Sequence, residues 1–200
     1  MEKETLFVAV KWEILKSLSK GKKSPLELSQ ETNSSVSNIS QALRFLELSG
    51  LIKSERITNR DKGKPRVMYS IAEDTAYLII TTEGFTKKEQ VKLTNRKKTL
   101  LKIWLFEHAN LHRFIEKAYE NIEQETPNYE GILLNKNTLP NIELNIIPKE
   151  GHYKKIKPIT YDYNNITKEI TYVENNWETI NQNPEYYYAI HDPLLKYKQG

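Results

Sequence analysis

The chain of 200 residues contains no cysteine. That excludes disulfides, thiolate metal sites, iron–sulfur clusters and a cysteine nucleophile together. Runs of ~18 apolar residues are also missing, so no membrane-spanning helix is expected. Met1-Glu2-Lys3-Glu4 offers no apolar segment of the kind a secretory leader needs. A Gly-rich phosphate loop, a GxSxG elbow and a catalytic triad are likewise not found, and no enzyme activity is expected. Apolar residues make up 38%, a modest supply for a core. Charged residues at 28% are ordinary, which argues against wholesale disorder. These absences leave a folded cytoplasmic protein without a cofactor as the expectation.

What is present is asymmetric. Residues 1–106 carry twenty basic and twelve acidic side chains, a net of +8, whereas residues 107–200 carry ten and fourteen, a net of −4. A basic half beside a mildly acidic half points to a polyanion partner for the first.

Within the basic half, Leu6, Val8, Val10, Trp12, Ile14, Leu15 and Leu18 fit an amphipathic helix that Gly21 ends. Ser24-Pro25-Leu26-Glu27 has a capping serine, proline at the first helical position and glutamate at the third, so a short helix starts there, anchored by Leu26 and Leu28. Ser35 can cap a third helix, in which Val36, Ile39, Leu43 and Leu46 recur at spacings of three and four, and Gly50 closes it. Leu51-Ile52 opens a strand whose expected partner is Val67–Ile71. The hairpin between carries Lys53, Arg56, Arg60, Lys62, Lys64 and Arg66 against Glu55 and Asp61, a local +4.

Helix, short helix, turn, helix and basic hairpin is the order of a winged helix-turn-helix. A major groove ~12 Å wide admits one helix, and a cationic hairpin beside it can follow phosphates. Opposite the apolar stripe of the third helix stand Ser35, Ser37, Asn38, Ser40, Gln41 and Arg44. Amides suit adenine, and arginine suits guanine or phosphate. The candidate DNA-binding residues are therefore these six together with Arg56, Arg60, Lys62, Lys64 and Arg66. A winged helix that docks a protein or RNA is the alternative.

Residues 35–52, with Ile39-Ser40, Leu43, Leu46 and Gly50-Leu51-Ile52, and the Met68-Tyr69-Ser70-Ile71 end of the hairpin resemble ArsR-like winged-helix regulators, particularly archaeal ones. The resemblance covers roughly residues 5–75 and implies a transcriptional regulator bound to double-stranded DNA. Metal-sensing members of that family use cysteine motifs, which this chain lacks.

Residues 76–82 and 85–93 read as a second hairpin. A wide apolar band follows, from Leu100 through Phe106 and on through Leu111, Phe114, Ile115, Ala118, Tyr119 and Ile122. It reads as a dimerisation helix or pair, because palindromic sites call for two-fold proteins. Packing against the C-terminal domain is the alternative. His108, His112 and Glu116 share one face if the helix is continuous, where a polar outer stripe is the favoured reading over a metal site.

After Thr126-Pro127-Asn128, four β-like runs (129–134, 142–147, 159–163 and 168–173), a short helix at 177–181 and a further segment at 185–190 form a small α/β unit. It resembles a degenerate nucleotidyltransferase domain. That family has a Gly-Ser turn and three metal-binding carboxylates. Here the turn is Leu134-Asn135-Lys136 and the acid positions read Asn141, Glu143 and Glu169, too few for two magnesium ions, so a nucleotidyltransferase-type enzyme with a DNA-binding domain stands only as the remote alternative function. The expected fold class is α+β, with a winged helix-turn-helix at 1–75, a hairpin and dimerisation helices at 76–125, and a small α/β domain at 126–200. That last domain could receive a small-molecule or protein effector.

Overall fold

A computed structural model describes residues 9–57, 66–126, 128–150 and 155–198. These residues are mixed α and β, and they divide into two units with the boundary between Lys92 and Leu93. The boundary leaves the second hairpin in the first unit and the central helices in the second.

The first unit begins with helix α1 (Val10–Leu18), which buries Ile14 and Leu18. Helix α2 (Pro25–Glu31) starts at Ser24 with the full capping box, the Ser24 hydroxyl meeting Glu27 N and the Glu27 carboxylate meeting Ser24 N. Thr32 ends α2, and Asn33 turns the chain at φ 50°. Ser35 caps helix α3 (Val36–Leu48), accepting from Asn38 N at 3.2 Å. Strands β1 (Ile52–Ile57) and β2 (Arg66–Ile71) pair antiparallel from Ile52 opposite Ile71 to Ile57 opposite Arg66. Lys23 adds a short third rung by exchanging backbone bonds with Tyr69 at 3.0 and 2.8 Å. The core of the unit is Ile14, Leu18, Leu28, Ile39, Ala42, Leu43, Leu46 and Ile52.

Two anchors expected from the sequence lie outside that core. Leu26 is 60% exposed and Val36 45% exposed. The reason is geometric. In a seven-residue helix only Leu28 is directed inward, and Val36 sits in the first turn of α3 ahead of the buried Ile39. Leu6 and Val8 lie outside the described residues. The second hairpin is observed as β3 (Thr75–Thr82) and β4 (Phe85–Lys92), joined at Glu83-Gly84 with Gly84 at φ 77°.

In the second unit, Thr94 caps helix α4 (Asn95–Trp104). A single 3-10 turn (Ala109–Leu111) leads into α5 (His112–Glu125). Five strands follow: β5 (Tyr129–Asn135), β6 (Ile142–Pro148), β7 (Ile159–Tyr163), β8 (Ile166–Glu174) and β9 (Tyr187–His191), with a short helix α6 (Trp177–Ile180) before the last. They form one sheet in the order β7-β8-β6-β5-β9, antiparallel except for β6 beside β8. β5 reads as a continuous apolar run because both its faces are covered. Ile132 and Leu134 face the helices, while Leu133 joins Ile147, Ile180 and Ala189 on the far side.

The wide apolar band has its destination here. Ile103, Phe106, Leu111, Phe114, Ile115, Ala118, Tyr119 and Ile122 are buried in one core with Ile132, Leu144, Ile146 and Ile170 of the sheet. Packing inside the second unit therefore covers these members of the band, whereas Trp104 and Leu105 of the same run stay 59% and 79% exposed.

One buried polar contact ties α4 to the sheet: Thr99 Oγ1 and His191 Nδ1 lie 3.0 Å apart. Burial lowers the His191 pKa to about 4, and the Lys102 and Lys98 charges add to the effect. A histidine held neutral in the fold binds a proton more weakly there than when unfolded, so stability falls as pH drops from ~6.5 to ~4, by up to about 3 kcal/mol. The acid-dependent part of chemical denaturation should thus be smaller in a His191→Gln variant across that window.

Candidate nucleic-acid interface

A helix whose apolar stripe is buried presents its other side by default. With Ile39, Ala42, Leu43 and Leu46 inward, the helical repeat places Ser37, Gln41, Arg44 and Leu48 on the outermost line of α3, with Asn38 and Ser40 flanking it. All six sequence-selected residues of this segment, Ser35, Ser37, Asn38, Ser40, Gln41 and Arg44, are exposed. Two carry structural bonds as well: Ser35 caps the helix, and Ser40 donates to the Val36 carbonyl at 2.8 Å. Among the described residues, the side chains of Ser37, Asn38, Gln41 and Arg44 make no hydrogen bond or ion pair, so their donors and acceptors are free for a partner.

The electrostatics around this face are set by where the acids go. Every glutamate in the described part of residues 9–73 has a partner. Glu13 pairs with Lys16, Glu31 with Lys23, Glu55 with Lys22 and Glu73 with Lys92. Glu27 closes the capping box, and Glu47 accepts from Ser54 at 2.5 Å. Hydrogen bonds from Ser24 hold the Glu27 carboxyl below the usual carboxylate range. Bonds from Lys23 and Ser17 do the same for Glu31. Arg44, Lys53, Arg56 and Arg66 have no such acid bonded to them among the described residues. Four of these carboxylates are thus paired with lysines, while Glu27 and Glu47 keep their charge on serine donors, and the arginines, with no acid bonded among the described residues, project a positive field.

The wing splits by register. Ser54 and Arg56 share the face of Tyr69 and Ile71, and the Ser54–Glu47 bond shows that this face meets the end of α3. Lys53 and Arg66 lie on the opposite face. Arg56 therefore stands on the α3 side of the hairpin, and Arg66 does not. Arg60, Lys62 and Lys64 lie outside the described residues.

Sequence reasoning did not find the exposed Phe45 and Leu48 on α3, 47% and 76% accessible. The helical repeat contained the signal, since both fall off the buried stripe. It also grouped His108 with His112. The structure places His108 before the 3-10 turn and His112 at the start of α5, so the continuous face they required does not exist. Among the described residues, no three His, Asp or Glu side chains gather to hold a metal. Of the acid positions of the nucleotidyltransferase resemblance, Glu143 is bonded within the sheet, accepting from Asn135 at 2.7 Å and from Asn145 at 3.3 Å. No helix among the described residues is long and apolar enough to cross a membrane.

No curated protein matches the chain. Residues 10–54 match the family model described as "Bacterial regulatory protein, arsR family", a span that runs from the first residue of α1 to Ser54 on β1. The three helices and the entry to the wing are thus an ArsR-family helix-turn-helix, the domain of a DNA-binding transcriptional regulator.

Proposed function

We propose that the protein regulates transcription in the cytoplasm by binding duplex DNA as a homodimer. In this reading α3 enters the major groove, where Asn38 and Gln41 read adenine and Arg44 reads guanine or phosphate. Ser35, Ser37 and Ser40 bond phosphates or base edges at the start of the helix. Arg56, Arg60, Lys62, Lys64 and Arg66 of the wing hold the backbone. The observation that carries the reading is the unbonded amide and guanidinium face of α3, set among glutamates that all have partners. Two-fold symmetry supplies the paired half-sites that such readers use. The second unit would receive the effector that sets the response.

Gel shifts with genomic duplex fragments at low salt test this reading. Retarded complexes are expected, with duplex bound more tightly than RNA of the same sequence. An absence of any duplex binding would overturn it. Sedimentation should give twice the 23.5 kDa chain mass.

Phe45 and Leu48 favour a second reading, in which α3 docks a protein through its exposed apolar groups. Binding to a protein partner would then survive Gln41→Ala and fail in Leu48→Ser, the opposite of what the DNA reading expects for duplex.

A further inference from the structure

The second unit has an open surface depression of about 590 Å³ whose walls come from the end of α4, the 3-10 turn, the first turn of α5 and the β7–β8 turn. Its size lies in the range of small-molecule sites, ~300–1,000 Å³. It is built entirely from residues 104–166, so nothing about it depends on the DNA reading.

The depression has aromatic walls. Phe114, 1% exposed, meets Tyr163 edge-on with centroids 6.3 Å apart. Trp104 is 59% exposed, Tyr163 42% and Ile166 46%. Apolar surface of this kind, gathered at one depression, is where a ligand gains most from leaving water.

Its polar groups carry no net charge. Arg113 donates to Glu116 at 2.8 Å, so the guanidinium already has its counter-ion. His112 Nε2 lies 2.6 Å from the Phe106 carbonyl oxygen. A carbonyl can only accept, so this nitrogen bears the proton and donates, and Nδ1 remains as the second polar atom of the ring. The Asn110 and Asn164 side chains make no hydrogen bond among the described residues, and each amide can both donate and accept. A neutral lining gives a phosphate or carboxylate little reason to enter. Flat aromatic walls with amide-type donors and acceptors fit a flat ring with polar edges.

The geometry points to a binding site for an uncharged planar heteroaromatic molecule, stacked against Trp104 and Tyr163 and held at its edge by Asn110, Asn164 and His112. Stacking contributes through the ring faces, and the amides fix orientation.

Isothermal titration of the full chain tests it, with adenine, uracil and nicotinamide as probes. Cyclohexanecarboxamide and inorganic phosphate serve as the non-planar and the anionic controls. At least one planar probe should bind saturably, at one per chain, and neither control should. Trp104→Ala and Asn164→Gly should each weaken that binding about ten-fold or more. Glycine suits position 164 because the backbone there has φ 50°, so Asn164→Gly removes the amide and keeps the turn. If Trp104→Ala fails to fold, the glycine variant decides. The proposal is overturned if no planar probe binds, if both variants bind as the parent does, or if phosphate or cyclohexanecarboxamide binds equally well.

Discussion

Ile39→Ala is expected to cost about 2–5 kcal/mol of stability, the range for deleting a fully buried aliphatic side chain. Ile39 is 0% exposed, in a core of eight buried side chains. A loss of that size is a large share of the ~5–15 kcal/mol that holds a domain. Gln41, two residues on, is exposed and unbonded, so Gln41→Ala should stay within ~0.5 kcal/mol of the parent. Its effect belongs on DNA, where losing one amide contact relaxes base preference by about 1–3 kcal/mol at one position. Chemical denaturation and binding to a set of single-base variants separate the two outcomes. If Gln41→Ala unfolds the first unit, the assignment of the two faces of α3 is wrong.

The second large effect is on salt. A wing with six cations can neutralise at most about six phosphates per chain, which sets a slope of log K against log salt near −5. Affinity should then fall about 10³-fold per chain between ~50 and ~200 mM salt. Arg60→Ala and Lys62→Ala should each flatten the slope by about one and weaken all sequences alike, because phosphate contacts carry no sequence. Fluorescence anisotropy over a salt series gives the slope directly. A flat salt dependence would remove the wing from the interface.

Local chemistry made most of the first unit legible before any coordinates. The capping box at Ser24, the spacing of Ile39, Leu43 and Leu46, and Gly50 at φ 74° are short-range signals, and each has its observed counterpart. Signals of the same range located the strands of the second unit, since turns rich in Asn, Pro and Gly separate its apolar runs. What periodicity lacks is the partner. It marks Phe114 and Ile122 as buried without saying whether a second chain or the chain's own sheet covers them. It extends a helix through His108 because a 3-10 turn keeps nearly the same spacing.

Pairings across distance were illegible for the same reason. Lys22 meets Glu55 at 2.7 Å and Glu47 meets Ser54, and these contacts decide which charges remain open around α3. Composition counted Lys22 and Lys23 toward a basic half, whereas the fold commits both to glutamates. The depression in the second unit depends on bringing Trp104 beside Tyr163, 59 positions along the chain, and no local pattern contains that.

The face of α3 is tested most directly by mapping where the tagged protein sits on genomic DNA, for the parent and for a Gln41→Ala, Arg44→Ala variant. Discrete sites sharing one sequence, lost in the variant while its fold persists, are the predicted result. Sites that stay unchanged in the variant, or no discrete sites in the parent, would contradict it.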